Sequence, residues 1–178
     1  MTWLIVLVAI VLVLAIAVVV VYNRLVRLRN RTENSWAQID VQLRRRHDLI
    51  PNLVEAVKGY AAHERGTFEE VTQARTAAQQ AQAENVLTAA LGRLFAVAEA
   101  YPQLRATENF QQLQGQLSEV EQNIVVARQV YNDSVLTYDN ALETVPTNVV
   151  AGLFNFSPRE YFETEGATRE APAVQFTS

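Results

Sequence analysis

Side chains that commonly carry out chemistry are sparse in this chain, which has two histidines, one lysine and no cysteine. His63-Glu64 lacks the second histidine of a helical zinc-protease motif, and no second carboxylate–histidine pair suggests a di-iron site in a bundle. A Gly-rich phosphate loop and a G-x-S-x-G elbow are also missing. We therefore expect no catalytic residue, no metal or other cofactor and no small-molecule substrate. His47 and His63 are expected at the surface or supporting other side chains.

Arginine is the side chain that stands out in the first part of the chain. Residues 23–47 carry seven arginines against Glu33 and Asp40, whereas residues 48–178 carry eight basic and seventeen acidic side chains. One interpretation is attraction to anionic lipid headgroups, at about 1 kcal/mol for each basic residue near the surface. The candidate interaction or lipid patch consists of Arg24, Arg27, Arg29, Arg31, Arg44, Arg45 and Arg46.

Two other interpretations of these arginines stay open. In the first, residues 24–31 only fix membrane topology, and Arg44 pairs with Asp40 on a solvated helix face while Arg44 or Arg45 pairs with Asp48. In the second, residues 44–48 dock on an acidic surface, such as the distal half of this same chain. Nucleic acid is not an expected partner, because the chain carries a net charge of −4 and contains no recognisable nucleic-acid module.

The arginines follow an apolar segment, Trp3–Val21, that contains no charge, no glycine and no proline. Nineteen helical residues span roughly the 30 Å hydrocarbon layer of a bilayer. A cleaved signal peptide is the alternative, since residues 15–17 read Ala-Ile-Ala, but a basic n-region is missing before the apolar core. The segment therefore predicts an uncleaved transmembrane anchor over residues 1–22.

The orientation of this anchor follows from the charges on either side of it. The basic residues nearest to the apolar segment lie on its C-terminal side, and the two residues before Trp3 are uncharged. By the positive-inside rule, we expect a single-pass protein of the cell membrane with its N-terminus outside and the rest of the chain in the cytoplasm.

Helical periodicity continues after the anchor and predicts an all-α protein. Apolar residues recur every three or four positions in three stretches, 30–64, 67–100 and 107–144, which predict an antiparallel up-and-down bundle over residues 23–146. Pro51 either lies in the first turn of a new helix or interrupts a continuous one, and residues 76–85 are polar enough to divide the second stretch. The bundle therefore has three long helices, or four.

The remaining expectations concern the ends of these helices. With three alternating helices, the turn over residues 101–106 should approach the membrane. The regular spacing of residues 110–142 could serve a coiled coil between molecules, but in a single domain it more often faces its own bundle. The tail, residues 147–178, is irregular and rich in aromatic side chains, which predicts that it packs back onto the bundle.

Several long runs resemble the LemA family of bacterial membrane-anchored proteins. They read YNRLVRLRN at 22–30, SWAQIDVQLRRRHDLIPNLVEAVKGYAAHE at 35–64, LGRLFAVAEAYPQLRATENFQQLQ at 91–114, ARQVYNDSVLTYDNALETVP at 127–146 and AGLFNFSPREYFE at 151–163. The resemblance implies a membrane helix followed by a cytoplasmic bundle of four helices, with no catalytic residues. Asp139 stands where the family tends to have asparagine.

Two hypotheses of function follow. The first is a non-enzymatic, membrane-anchored helical scaffold that presents a cytoplasmic bundle to partner proteins or to copies of itself. The alternative is a membrane-remodelling or anionic-lipid-binding protein, which the proximal arginines and the aromatic tail would serve. In both, the lipid bilayer is a partner.

Overall fold

The computed structural model describes residues 1–61, 65–81 and 84–162, with the side chains of residues 79–81 left out. The part of the chain described is helical and contains no strand. The helices are α1 (Thr2–Lys58), α2 (Arg65–Ala81), α3 (Glu84–Glu99), α4 (Pro102–Arg105), α5 (Glu108–Glu143) and α6 (Thr147–Leu153). The predicted all-α fold, with an apolar N-terminal helix followed by a bundle, is confirmed.

Helix α1 joins the apolar segment to the bundle without a break. Pro51 lies inside α1, so the helix runs through this residue and no new helix begins at Asp48. None of the residues in the apolar segment of α1 is fully buried in the protein. By length and composition, this helix could cross a membrane.

The second predicted stretch is divided, as the alternative interpretation of residues 76–85 allowed. Helix α2 ends at Ala81 and α3 begins at Glu84. This division adds a helix, so the described residues contain the four long helices α1, α2, α3 and α5.

The chain divides into two compact units, which are described separately. One comprises Ala37–Val126 and the other comprises Met1–Trp36 with the chain from Ala127 onward. The core of the Ala37–Val126 unit is an apolar cluster from α1, α2, α3, α4 and α5. Its fully buried members are Ile50, Leu53, Val57, Ala61, Val71, Leu87, Ala90, Leu94, Ala98 and Leu104.

The other unit has a smaller core where α6 packs against α1 and α5. Leu25 of α1 contacts a cluster with Ala141 of α5 and with Val150 and Ala151 of α6. In the described part of the tail, Val150, Ala151 and Phe156 pack against α1 and α5. Residues 163–178, including Phe176, lie outside the described chain.

The predicted position of the turn over residues 101–106 is wrong. Leu104 packs in the cluster that holds Val57 and Ala61, at the C-terminal end of α1. It is Ala141, near the end of α5, that packs beside Leu25, just after the apolar segment. Because α2 and α3 are separate helices, α5 runs in the opposite direction from that expected for three helices.

Candidate functional site

The arginines that follow the apolar segment are mostly open to solvent. Arg24, Arg27 and Arg31 are exposed, and Arg29 is half-buried. The guanidinium carbon of Arg29 lies 5.6 Å from the centre of the Phe156 ring, which is within the range of a cation–π contact. Three of the four cations in this group therefore remain available to an outside partner.

The three consecutive arginines at 44–46 have three different surroundings. Arg44 is exposed and pairs with Asp40 at 2.6 Å, which confirms the predicted pair within the helix. Arg45 is exposed and lies 3.8 Å from Glu119 of α5. Arg46, in contrast, is only 2% exposed. The side chain of Arg46 faces the interior, so it does not form a continuous surface with its two neighbours.

The guanidinium of Arg46 is held by polar groups from two other helices. One terminal nitrogen donates to Glu84 of α3 at 2.9 Å, and the other donates to the hydroxyl of Thr88 at 2.6 Å. Its Nε lies 2.9 Å from a carboxylate oxygen of Glu121 in α5. One buried cation thus pairs with two carboxylates and links α1, α3 and α5. Both carboxylates belong to the acidic part of the same chain, residues 48–178.

His47 completes this buried network. Its Nε2 lies 3.1 Å from the second carboxylate oxygen of Glu84, so both oxygens of Glu84 are used. A carboxylate can only accept, so the Nε2 of His47 carries the hydrogen of this bond. His47 is 7% exposed. It therefore supports another side chain, which was one of its two expected settings, and is not at the surface. His63 lies outside the described chain.

Pro51 changes the hydrogen bonding of the backbone carbonyl of His47. Proline has no N–H, so the carbonyl oxygen four residues earlier in a helix loses its usual donor. That oxygen belongs to His47, and Nε of Arg75 in α2 donates to it at 2.9 Å. The interruption at Pro51 is thus satisfied by a side chain from a neighbouring helix.

The acidic half of the network was missed by sequence reasoning, although the position of Arg46 could have been found. Ile39, Arg46 and Leu53 are seven residues apart and all are buried. Arg46 thus occupies the apolar stripe of α1, where an unpaired charge would be costly. This position predicts a buried acidic partner. It does not identify Glu84 or Glu121, because the residues are far apart in sequence.

A second polar cluster holds the tail against α5. The side-chain amide of Asn132 pairs with both backbone groups of Phe162: Oδ1 accepts from its N–H at 2.8 Å and Nδ2 donates to its carbonyl at 3.3 Å. The hydroxyl of Tyr131 donates to the carbonyl of Glu160 at 2.8 Å. Asp139 accepts from the backbone N–H of Arg159 at 3.1 Å. These three side chains explain how an irregular segment stays ordered on a helix.

Aromatic and charged contacts add to this second cluster. Trp36 packs against the rings of Tyr131 and Phe162, with centroid distances of 5.3 and 5.8 Å. Arg159 pairs with Glu33 of α1 at 2.8 Å. Burial raises the pKa of Tyr131 above 10.0, and the positive charge of Arg159 opposes that shift.

Tyr138, on the same helix, has the same direction of shift. Burial raises its pKa above 10.0, while Arg159 and Arg29 act in the opposite direction. Both phenols therefore stay neutral at ordinary pH and act as packed side chains that can donate hydrogen bonds.

The side chains of these two clusters contact one another or the backbone, as expected of residues that stabilise a fold. The guanidinium of Arg46 pairs with two carboxylates, although its buried Nε makes no hydrogen bond, and the amide of Asn132 is occupied by the backbone. Within residues 1–61, 65–81 and 84–162, no group of three or more histidine, aspartate or glutamate side chains could hold a metal ion. The exposed Arg24, Arg27 and Arg31 remain as candidates for contact with lipid or protein.

Comparison with known proteins agrees with the resemblance seen in the sequence. The sequence profile of the LemA family matches residues 35–176. The magnetosome proteins MamQ 1 and MamQ 2 of Paramagnetospirillum magneticum are each 26% identical to this chain over 179 residues, and magnetosome protein MamQ of Magnetospirillum gryphiswaldense is 24% identical. Each alignment covers 82% of this chain and 66% of the relative, so the chain spans about two-thirds of their length. None of these names states an enzymatic activity.

Proposed function

Because the chain belongs to the LemA family, we propose that it is a non-enzymatic, membrane-anchored helical scaffold that presents its bundle to partner proteins or to further copies of itself. We also propose that it spans the cell membrane once, with the bundle in the cytoplasm. The basic residues on the C-terminal side of the apolar segment support this orientation.

The observation that carries the proposal is the continuity of α1. The same helix contains the exposed apolar segment and, from Ala37 to Lys58, forms part of the Ala37–Val126 unit. Helical segments act as semi-rigid spacers, whereas Gly/Ser-rich linkers behave as flexible coils. An anchor built in this way suits a protein that holds a surface near a membrane.

The surface of the Ala37–Val126 unit offers apolar contact points. Its exposed valines are Val41 on α1, Val86 on α3, and Val125 and Val126 on α5. Val125 and Val126 are adjacent and are 64% and 58% exposed. Burial of their apolar surface against a partner would therefore be favourable. They are the positions at which added charge should weaken contact with a protein partner.

The experiment is native mass spectrometry of the full chain released from lipid nanodiscs. We expect an oligomer or a stoichiometric protein partner, and we expect the double variant Val125→Asp/Val126→Asp to lose it. The matched control is Gln122→Asp/Gln129→Asp, which adds the same charge at exposed polar positions of α5. A monomer without a stoichiometric partner, or equal losses in both variants, would contradict the scaffold.

A second function, binding of anionic lipid, is favoured by the exposure of Arg24, Arg27 and Arg31 directly after the apolar segment. Anionic headgroups should gather around these cations when the protein is in a mixed bilayer. We expect the variant with all three changed to glutamine to retain less phosphatidylglycerol on purification. The control changes three exposed arginines outside the candidate patch, Arg65, Arg93 and Arg105, to glutamine. Equal lipid retention in the two variants would remove this function.

A further inference from the structure

The segment around α6 has an unusual composition for this protein. Residues 144–158 contain no aspartate, glutamate, lysine or arginine, although 19% of the chain as a whole is charged. At that frequency, fifteen residues would contain about three charges. The segment is bounded by Glu143 and Arg159. An uncharged segment of this length requires an explanation in a region that is largely on the surface.

One face of α6 packs against the end of the apolar segment. Val150 and Ala151 are buried with Leu25, and Val18 and Val21 are partly buried against the same cluster. Val18 and Val21 belong to the apolar run Trp3–Val21. Helix α6 therefore lies beside the last turn of the segment that is predicted to cross the membrane.

The turn after α6 adds aromatic side chains at the same level. Asn155 has a positive φ of 55°, and the N–H of Phe156 donates to the carbonyl of Ala151 at 3.0 Å, which is a Schellman-type end to the helix. The turn places the rings of Phe154 and Phe156 4.8 and 5.7 Å from the ring of Tyr22. Tyrosine is enriched at the boundary between membrane and water, and the two phenylalanine rings pack on Tyr22 there.

The opposite face of α6 is apolar and uncovered. Val149 and Leu153 are one helical turn apart and are 61% and 69% exposed. Val145, before the helix, is 79% exposed, and Phe154, after it, is 51% exposed. Four such side chains in ten residues would be costly in water, since each buried CH₂ group contributes about 0.8 kcal/mol.

The depth of this face follows from its neighbours on α1. If Trp3–Val21 spans the hydrocarbon layer, Val18 lies about 4.5 Å inside its boundary, at about 1.5 Å per residue. Interfacial helices bury their apolar face by about 5–10 Å at the boundary between headgroups and acyl chains. Helix α6 shares one apolar cluster with Val18 and carries uncovered valine and leucine on its other face, so this face lies close to that depth.

We propose that α6 and its flanking residues form an interfacial element, which inserts Val145, Val149, Leu153 and Phe154 into the bilayer leaflet next to the end of the apolar segment. The bilayer is the occupant of this face because the face is continuous with the membrane-facing surface of α1 and has no charge. The proposal rests on the membrane anchoring in the proposed function, but it does not depend on the scaffold role or on the orientation.

Spin labelling tests the insertion directly, because the chain has no cysteine of its own. A nitroxide is attached to Leu153→Cys or Val149→Cys in the full chain, reconstituted in phosphatidylcholine–phosphatidylglycerol vesicles. Collisions with oxygen, which concentrates in lipid, are compared with collisions with a water-soluble nickel chelate. We expect both labels to have a higher ratio of oxygen to nickel collisions than a label at Val130→Cys, an exposed apolar position on α5 in the same unit.

A label at Val11→Cys, in the apolar segment, separates the possible failures. If Val11 is in lipid while the ratios at Leu153 and Val149 equal that at Val130, the interfacial element is disproved and the anchor stands. If Val11 is in water, the anchor fails and the interfacial element fails with it. Broadening of the Leu153 spectrum that grows with the protein-to-lipid ratio would show a second copy on this face, which would also overturn the proposal.

Discussion

Arg75 donates from Nε to the carbonyl oxygen of His47 at 2.9 Å, and this is the oxygen that Pro51 leaves without a donor in α1. Arg75 therefore replaces the hydrogen bond that Pro51 removes, although the two residues do not bond to each other. Proline within a helix usually costs about 3 kcal/mol, in part through the lost hydrogen bond. A side chain from α2 recovers part of that cost and fixes α2 against α1.

A double-mutant cycle should reveal this relationship. Arg75→Met should lower the free energy of unfolding of the full chain by about 1–3 kcal/mol, because it leaves a partly buried carbonyl unpaired. In the Pro51→Ala background, the new N–H can bond to the carbonyl of His47, so the same change should cost less. Denaturation followed by circular dichroism in detergent measures both values. Equal costs in the two backgrounds would mean that Arg75 does not compensate for the proline.

The two arginines Arg46 and Arg44 should respond differently to the same substitution. Arg46→Met leaves Glu84 and part of Glu121 without their cation in a buried site, and loss of one partner of a buried ion pair costs about 3–5 kcal/mol. Arg44→Met removes an exposed pair with Asp40, worth about 0.3–0.5 kcal/mol. Thermal unfolding of the two variants provides the comparison. Similar unfolding temperatures would show that the Arg46 network contributes no stability.

Asn132 should control the attachment of the tail. Asn132→Leu keeps a similar volume but removes both hydrogen bonds to Phe162, each worth about 1 kcal/mol. Hydrogen exchange at the amide of Phe162 should become faster, while exchange in the middle of α2 should not change. Gln129→Leu, at an exposed position of α5, is the matched control. If it accelerates exchange at Phe162 as much as Asn132→Leu does, the bidentate contact is not what holds the tail.

Tyr138 should make the protein sensitive to alkali. Its folded-state pKa is raised by burial above the value of 10.0 expected when unfolded. Between these two pKa values the unfolded chain loses the phenol proton and the folded chain keeps it. The contribution of Tyr138 is therefore fully present below about pH 10 and is lost as the pH rises, by at most about 1.4 kcal/mol for each pH unit.

Comparison with Tyr138→Phe isolates this effect, because phenylalanine does not titrate. Free energies of unfolding measured at several values between about pH 8 and 11 should decline more steeply in the unchanged protein than in the variant. Parallel curves would show that burial does not perturb this phenol.

The helices of this protein were largely predictable from its sequence. The apolar run Trp3–Val21 specifies a helix by its length and composition. The three-four spacing of residues 110–142 specifies a helix and its buried face, because helical geometry repeats every 3.6 residues. The division after Ala81 was harder to predict, since a polar stretch can lie on an exposed helix or in a turn. That one uncertainty reversed the expected direction of α5.

The contacts between distant side chains were not predictable in the same way. Arg44, Arg45 and Arg46 look alike in sequence, and only the register of α1 turns one of them inward. Its partners depend on how α3 and α5 pack, which local patterns do not encode. Asp139 is a similar case: its departure from the family pattern had no assigned role, and the structure shows it accepting a hydrogen bond from the backbone of Arg159.

The central claim, that one helix holds the bundle at the cytoplasmic face of the cell membrane, can be tested with single cysteines in this cysteine-free chain. Thr2→Cys and Gln112→Cys are treated with a membrane-impermeant maleimide in cells whose cytoplasmic membrane is intact. We expect labelling of Thr2→Cys at once and of Gln112→Cys only after permeabilisation, with both proteins in the membrane fraction. Labelling of Gln112→Cys in intact cells, or recovery of the protein in the soluble fraction, would contradict the account.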